Sequence, residues 1–98
     1  MENIVDKIRK ATETEPKNPE QQFMKLIEEL GEASQAYLSS KGISGNKYKQ
    51  LSENNVKEEL VDVLLVTFAL LSQLGATDDE IETLIDRKIN KWLHNQSH

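Results

Sequence analysis

The sequence predicts an all-α protein, an antiparallel bundle of the four-helix type that assembles as an oligomer. Apolar residues recur at three- and four-residue spacing, helix start and stop signals divide the chain, and no run of alternating polarity is long enough to suggest a strand. Short connections between the helical segments favour antiparallel neighbours. The predicted helices span approximately residues 3–11, 19–39, 53–74 and 78–94.

The first two helices are separated by a polar segment and a clear helix start. Ile4 and Ile8 recur at helical spacing in the first helix, and a polar stretch follows it. Asn18 suits a capping position and Pro19 suits the first helical position, so the second helix is expected to begin there. The apolar stripe of the second helix consists of Phe23, Leu26, Ile27, Leu30, Ala33, Ser34, Tyr37 and Leu38.

The third predicted helix is the most apolar part of the chain. Between Val61 and Leu71 it is apolar on every side except at Asp62 and Thr67, a pattern typical of a buried helix. Because one small chain cannot easily surround such a helix, we expect a second subunit to help to cover it.

The fourth predicted helix has a start signal and a single apolar stripe. Residues 77–80, with the sequence TDDE, fit a capping box. The stripe that we expect to face the core consists of Ile81, Leu84, Ile85, Ile89, Trp92 and Leu93.

Length and charge limit the kinds of function that the chain can have. Its 98 residues suffice for one domain, 1–98, and a hydrophobic content of 37% leaves a lone monomer with a small core, so we expect a homodimer or homotetramer. A net charge of −5 without a basic stripe argues against nucleic-acid binding. The sequence shows no cysteine, no signal-peptide pattern and no apolar run that could span a bilayer. We therefore expect a cytoplasmic protein that does not interact with membranes.

Two acidic clusters define the chain, EELGE at residues 28–32 and EELVD at residues 58–62. Residues three apart lie on neighbouring parts of one helix face, so Glu29 pairs with Glu32, and Glu59 pairs with Asp62. One such pair is common on solvated helices, but two pairs on successive helices can converge on a hard divalent cation such as Mg²⁺ or Mn²⁺. Since Mg²⁺ usually shares its coordination with phosphates, the pattern favours metal-dependent phosphate chemistry.

The second cluster leads directly into the apolar helix. Asp62 has Val61 and Val63 beside it and further apolar residues one turn on. An unpaired ionised carboxylate in such surroundings would be costly, or would stay protonated. We therefore expect a positive ion beside Asp62.

Two segments of the sequence resemble a known family. KLIEELGEA at residues 25–33 and EELVDVL at residues 58–64 are similar to the two motifs of the MazG-like all-α nucleoside triphosphate pyrophosphatases. That superfamily includes the dimeric dUTPases and phosphoribosyl-ATP pyrophosphatase. The resemblance implies a single MazG-like helical domain in which Mg²⁺ is bound by Glu29, Glu32, Glu59 and Asp62.

The resemblance also implies a reaction. The expected enzyme is a hydrolase that cleaves an NTP or dNTP at the α-phosphorus, giving the monophosphate and pyrophosphate. Glu28 would either support a metal ligand or act as the catalytic base that orients the attacking water. House-cleaning of modified nucleotides, control of a dNTP pool and a phage or mobile-element role all remain open.

Substrate contacts are expected on the second and fourth helices. Lys25 precedes the first cluster by one turn and could approach phosphate oxygens. Lys88 and Lys91 could neutralise phosphates, and Asn90 could bind sugar or phosphate. The chain departs from many MazG-like relatives at Val66, where they carry an aromatic residue.

Two other functions stay open at this point. The first is a non-enzymatic helical dimerisation module in which the acidic clusters bind a stabilising cation. The second is an enzyme of the phosphoribosyl-ATP pyrophosphatase type, which would share the fold and the acidic motif.

Overall fold

The computed structural model describes residues 3–41 and 53–96, and these residues form helices and turns without a strand. The helices are α1 (Ile4–Glu13), α2 (Pro19–Ser40), α3 (Glu53–Gln73) and α4 (Asp78–Gln96). Each helix end lies within two residues of its predicted position. The predicted all-α class and the four helical segments are therefore confirmed.

The first two helices begin at asparagine caps. The side chain of Asn3 accepts a hydrogen bond of 2.8 Å from the backbone N–H of Asp6. At the start of α2, Asn18 Oδ1 accepts from the backbone N–H of Gln21 at 2.8 Å, and Gln21 Oε1 accepts from the backbone N–H of Asn18 at 3.0 Å. Pro19 follows as the first helical residue. These bonds satisfy backbone donors that a helix start otherwise leaves unpaired.

The central contact of the fold is between α2 and α3, and α1 also packs against α3. Small side chains make up much of the buried surface: Ala33, Ala36 and Ala69 are each 8% exposed or less. Gln73 Nε2 donates to the backbone carbonyl of Lys17 at 2.7 Å and so joins the end of α3 to the α1–α2 connection. The small residues allow the two long helices to approach closely, which positions the acidic clusters.

A tight turn joins α3 to α4. Gly75 has a φ of +89°, in the left-handed region that side chains other than glycine rarely adopt. Thr77 then caps α4, because its Oγ1 accepts from the backbone N–H of Glu80 at 3.1 Å while Glu80 Oε1 accepts from the backbone N–H of Thr77 at 3.2 Å. The predicted capping box is confirmed. An ion pair of 3.1 Å between Arg9 and Asp78 holds the start of α4 against α1.

Much of the predicted core surface is exposed in the single chain. In the stripe predicted for α2, Ala33 is buried, Leu26 and Leu38 are half-buried, and the remaining members are exposed. On α4, Ile81 is buried but the rest of the predicted stripe is exposed, so the prediction that this stripe faces a core is wrong for the isolated chain. The exposed apolar residues of α3 are Leu60, Val61, Leu64 and Leu65. The physical reason is that helical periodicity marks an apolar face but does not say whether the same chain covers it.

None of the described helices combines the length and the apolar character needed to cross a membrane.

Removing the cap of α2 should destabilise the protein without changing its fold. We expect Asn18→Ala to lower the free energy of unfolding by about 1 kcal/mol, because the backbone N–H of Gln21 loses its acceptor. Urea unfolding at one fixed protein concentration would measure the change. Asn18→Ser is the matched control, since serine keeps an acceptor oxygen, and equal stability of the two variants would contradict the assignment.

Candidate metal centre

Glu29 lies on the inner face of α2, although it is a charged residue. The buried residues of this helix are Gln22, Glu29, Ala33, Ala36 and Ser39, which recur at helical spacing and so define one stripe. Glu29 is only 5% exposed. Its alanine neighbours leave room for its carboxylate at the contact between α2 and α3.

Two groups of carboxylates meet at this position. Oxygen atoms of Glu29, Glu59 and Asp62 lie within 4.8 Å of one another, and so do oxygen atoms of Glu28, Glu29 and Glu32. Glu29 belongs to both groups. The structure therefore brings together the residues of both predicted pairs, from α2 and from α3. From here on, the acidic cluster means the site formed by Glu28, Glu29, Glu32, Glu59 and Asp62.

Glu59 has the least favourable surroundings in the acidic cluster. Its Oε2 atom is buried and has no hydrogen-bond partner in the part of the chain that the structure describes. Burial raises the pKa of this carboxyl group first of all, and the neighbouring carboxylates of Glu32, Glu29 and Asp62 raise it further. A buried acceptor without a partner is uncommon in folded proteins, so this oxygen is suited to receiving a ligand.

Glu29 has the opposite surroundings, because a lysine compensates its charge. Lys25 Nζ lies 2.8 Å from Glu29 Oε1 and 3.9 Å from Glu28 Oε1. The hydrogen bond from Lys25 is the main cause that lowers the pKa of Glu29, and it is also the main cause that raises the pKa of Lys25. In the metal-free protein Lys25 therefore favours the ionised form of Glu29.

The prediction for the surroundings of Asp62 is wrong. Asp62 is exposed, and Val61 beside it is 52% exposed, so this carboxylate is not enclosed by apolar side chains in the single chain. On α3 the carboxyl group whose pKa is raised by burial is Glu59, which shares its face of the helix with the half-buried Val63 and Val66. Sequence reasoning missed this because it considered the neighbours of Asp62 in the chain and not the face that α3 turns towards α2.

The predicted substrate residues are divided between two places. Lys25 contacts the acidic cluster directly. Lys88, Asn90 and Lys91 lie on the exposed surface of α4, and within the described ranges no ion pair connects them to the cluster. The structure thus brings one of the four predicted substrate contacts to the site in the single chain.

A cavity of about 360 Å³ lies between α1, α2 and α3, and no carboxylate of the acidic cluster lines it. Gln22, which is 2% exposed, lines it two helical turns before Glu29, and Leu65 and Val66 line it one turn after Asp62. Its other lining residues are Lys7, Ile8, Ala11, Thr12, Glu15 and Ala69. Sequence reasoning did not single out Gln22. Its position seven residues before Glu29, on the same face of the helix, was the signal that could have identified it.

Comparisons of the chain with protein-family models, with curated proteins and with solved structures found no match. The resemblance of its two acidic segments to the MazG-like motifs therefore stays a prediction.

The raised pKa of Glu59 predicts how the stability of the metal-free protein depends on pH. A carboxyl group with a raised folded-state pKa stabilises the fold when protonated, and this stabilisation is lost as pH rises from the ordinary value of 4.5 through the folded pKa. Glu29 has a lowered pKa, so its ionised form stabilises the fold, and this stabilisation is lost only as the pH falls below 4.5. We therefore expect Glu59→Gln to melt like the wild type near pH 4.5 and at a higher temperature at neutral pH.

Thermal unfolding in EDTA across this range would measure the effect. Glu58→Gln is the control, because it removes a charge from an exposed neighbour. A Glu59→Gln variant that follows the wild type at every pH would show that Glu59 is not strained by its surroundings.

Proposed function

We propose that this protein is an Mg²⁺-dependent nucleoside triphosphate pyrophosphohydrolase, which converts an NTP or dNTP into the monophosphate and pyrophosphate. The observation that carries the proposal is the convergence of Glu29, Glu59 and Asp62 within 4.8 Å across two helices. These residues fall in the two segments whose sequence resembles the MazG-like motifs. The convergence of the carboxylates and the sequence resemblance together favour a nucleotide substrate.

The residues of the cluster fit a hard divalent cation. The groups that would bind the ion are all carboxylate oxygens, the ligand type that Mg²⁺ and Mn²⁺ prefer. The buried Glu59 Oε2, which has no hydrogen-bond partner among the described residues, would gain one. Glu29, Glu32, Glu59 and Asp62 would hold the ion. When bound, Mg²⁺ would polarise phosphoryl oxygens and neutralise the charge that develops on the departing pyrophosphate.

The remaining groups of the site have separate tasks in the proposed reaction. Glu28 is exposed beside Glu29 and Glu32, where it would orient the attacking water and accept its proton. Lys25 would approach the phosphate oxygens. The cavity that Gln22 lines would receive the nucleoside, because it lies about two turns along α2 from the ligands.

We also propose that the active protein is a homo-oligomer. The radius of gyration is 16.2 Å, whereas about 12.6 Å is expected for a compact chain of this length. The accessible surface is 7447 Å², against about 5,700 Å² for a compact monomer of this mass. A second copy would cover the exposed apolar faces of α2, α3 and α4. We propose that the same assembly also brings residues of one copy near the acidic cluster of the other.

The same exposed faces also favour a second candidate, a non-enzymatic dimerisation module stabilised by metal. Such a protein would melt at a higher temperature in the presence of Mg²⁺ but would release no pyrophosphate. An enzyme of the phosphoribosyl-ATP pyrophosphatase type would instead release pyrophosphate from that substrate alone.

Pyrophosphate release distinguishes these functions. We expect turnover with Mg²⁺ in a panel of common NTPs, dNTPs and phosphoribosyl-ATP, and a loss on the order of a hundredfold or more in each ligand variant, because a cation site that loses one carboxylate stabilises less charge in the transition state. The variants are Glu29→Gln, Glu32→Gln, Glu59→Gln and Asp62→Asn. Glu58→Gln is the control and should keep its activity. A wild-type protein that releases no pyrophosphate from any member of the panel would overturn the proposed activity.

Sedimentation at micromolar concentration tests the assembly. We expect a stable oligomer that Ile89→Glu weakens, because Ile89 is an apolar residue of α4 that is 43% exposed in the single chain. Thr83→Glu introduces the same charge at an exposed polar position of α4 and is the matched control. A wild-type protein that sediments as a stable monomer would contradict the proposed assembly.

A further inference from the structure

A cation of the chain itself already occupies part of the acidic cluster. Lys25 Nζ is 2.8 Å from Glu29 Oε1, and its side chain also reaches to 3.9 Å from Glu28 Oε1. Glu29 is the residue that the two carboxylate groups share. The ammonium group of Lys25 therefore neutralises the cluster at its centre.

Lys25 and a divalent ion would compete for the carboxylate group of Glu29. The side chain of Glu29 is only 7% exposed, so few directions of approach to its carboxylate are open. Two cations at contact distance from one oxygen repel each other, and this repulsion is strong where little water intervenes. The side chain of Lys25 is 36% exposed and has a flexible stem, so it is the partner that can move away.

We propose that Lys25 is an internal counterion of the metal-free cluster, which leaves Glu29 when a divalent ion binds and so sets the affinity for that ion by competition. The inference rests on the proposed function, because it assumes that the acidic cluster binds metal. It adds an order of events: the ammonium group becomes available to substrate phosphates only once the ion has replaced it on Glu29.

A role in substrate binding alone predicts different behaviour. If Lys25 served only the phosphates, Lys25→Met would raise KM and leave metal binding without nucleotide unchanged. If Lys25 competes with the ion, the same variant binds metal more tightly in the absence of nucleotide. It should also lose stability in EDTA, because the carboxylate of Glu29 is then buried without its counterion.

Calorimetric titration with Mn²⁺ or Mg²⁺ alone, without nucleotide, would measure the competition. We expect Lys25→Met to bind the ion roughly fivefold or more tightly than the wild type, because the ammonium group no longer competes with the ion for the carboxylate of Glu29. Lys57→Met is the matched control, since Lys57 lies beside Asp62 on α3 and its removal changes the net charge equally. The difference between the two variants separates competition at Glu29 from a general change of charge.

A second measurement uses the wild-type protein and does not depend on how the variants fold. The ¹⁵Nζ resonance of Lys25 should shift or broaden when Mg²⁺ is added, while that of Lys57 changes little. If the wild type binds Mg²⁺ but the Lys25 resonance stays unchanged and both variants bind alike, the inference is overturned and the metal site stands. If neither the wild type nor any variant binds the ion, the proposed metal site fails and the inference fails with it.

Discussion

The candidate site depends on one constraint, which is that α2 and α3 must hold like-charged carboxylates close together. Glu29 and Glu59 would repel each other in water, and they stay close here because small residues such as Ala33 and Ala36 allow the helices to approach. The remaining cost is reduced in two ways, by the ammonium group of Lys25 and by the tendency of Glu59 to keep its proton. The packing of α2 against α3 thus brings the carboxylates together, and Lys25 and the protonation of Glu59 reduce the repulsion between them.

Outside the acidic cluster, the starts of α1, α2 and α4 are stabilised by local hydrogen bonds. Helix caps at Asn3, Asn18 and Thr77 satisfy backbone groups within each helix start and do not depend on distant packing. Packing between α2 and α3 must then compensate for the repulsion within the acidic cluster. Because few large side chains of residues 3–41 and 53–96 are buried in the single chain, the proposed assembly would provide much of the missing apolar burial.

The parts of the structure that follow from local chemistry could be predicted from the sequence. Asn18 and Pro19 predict the start of α2, and i, i+3 spacing indicates the carboxylate pairs. The surroundings of each carboxylate could not be predicted, because they depend on which face of α3 turns towards α2. For this reason the sequence predicts that Asp62 is the enclosed acid of α3, whereas Asp62 is exposed and burial instead raises the pKa of Glu59. Whether the apolar stripe of α4 is covered could not be predicted for the same reason, because helical periodicity identifies an apolar face but not the surface that packs against it.

The short turn at Gly75 has a consequence for how such a protein could diversify. The acidic cluster lies entirely on α2 and α3, whereas Lys88, Asn90 and Lys91 lie on a helix that follows one turn and is tied to α1 by the Arg9–Asp78 ion pair. Substitutions along the exposed face of α4 therefore leave the carboxylates and their packing untouched. Of the proposed substrate contacts, those at Lys88, Asn90 and Lys91 can therefore vary while the carboxylates, Lys25 and the cavity that Gln22 lines stay as they are, because these lie on other helices.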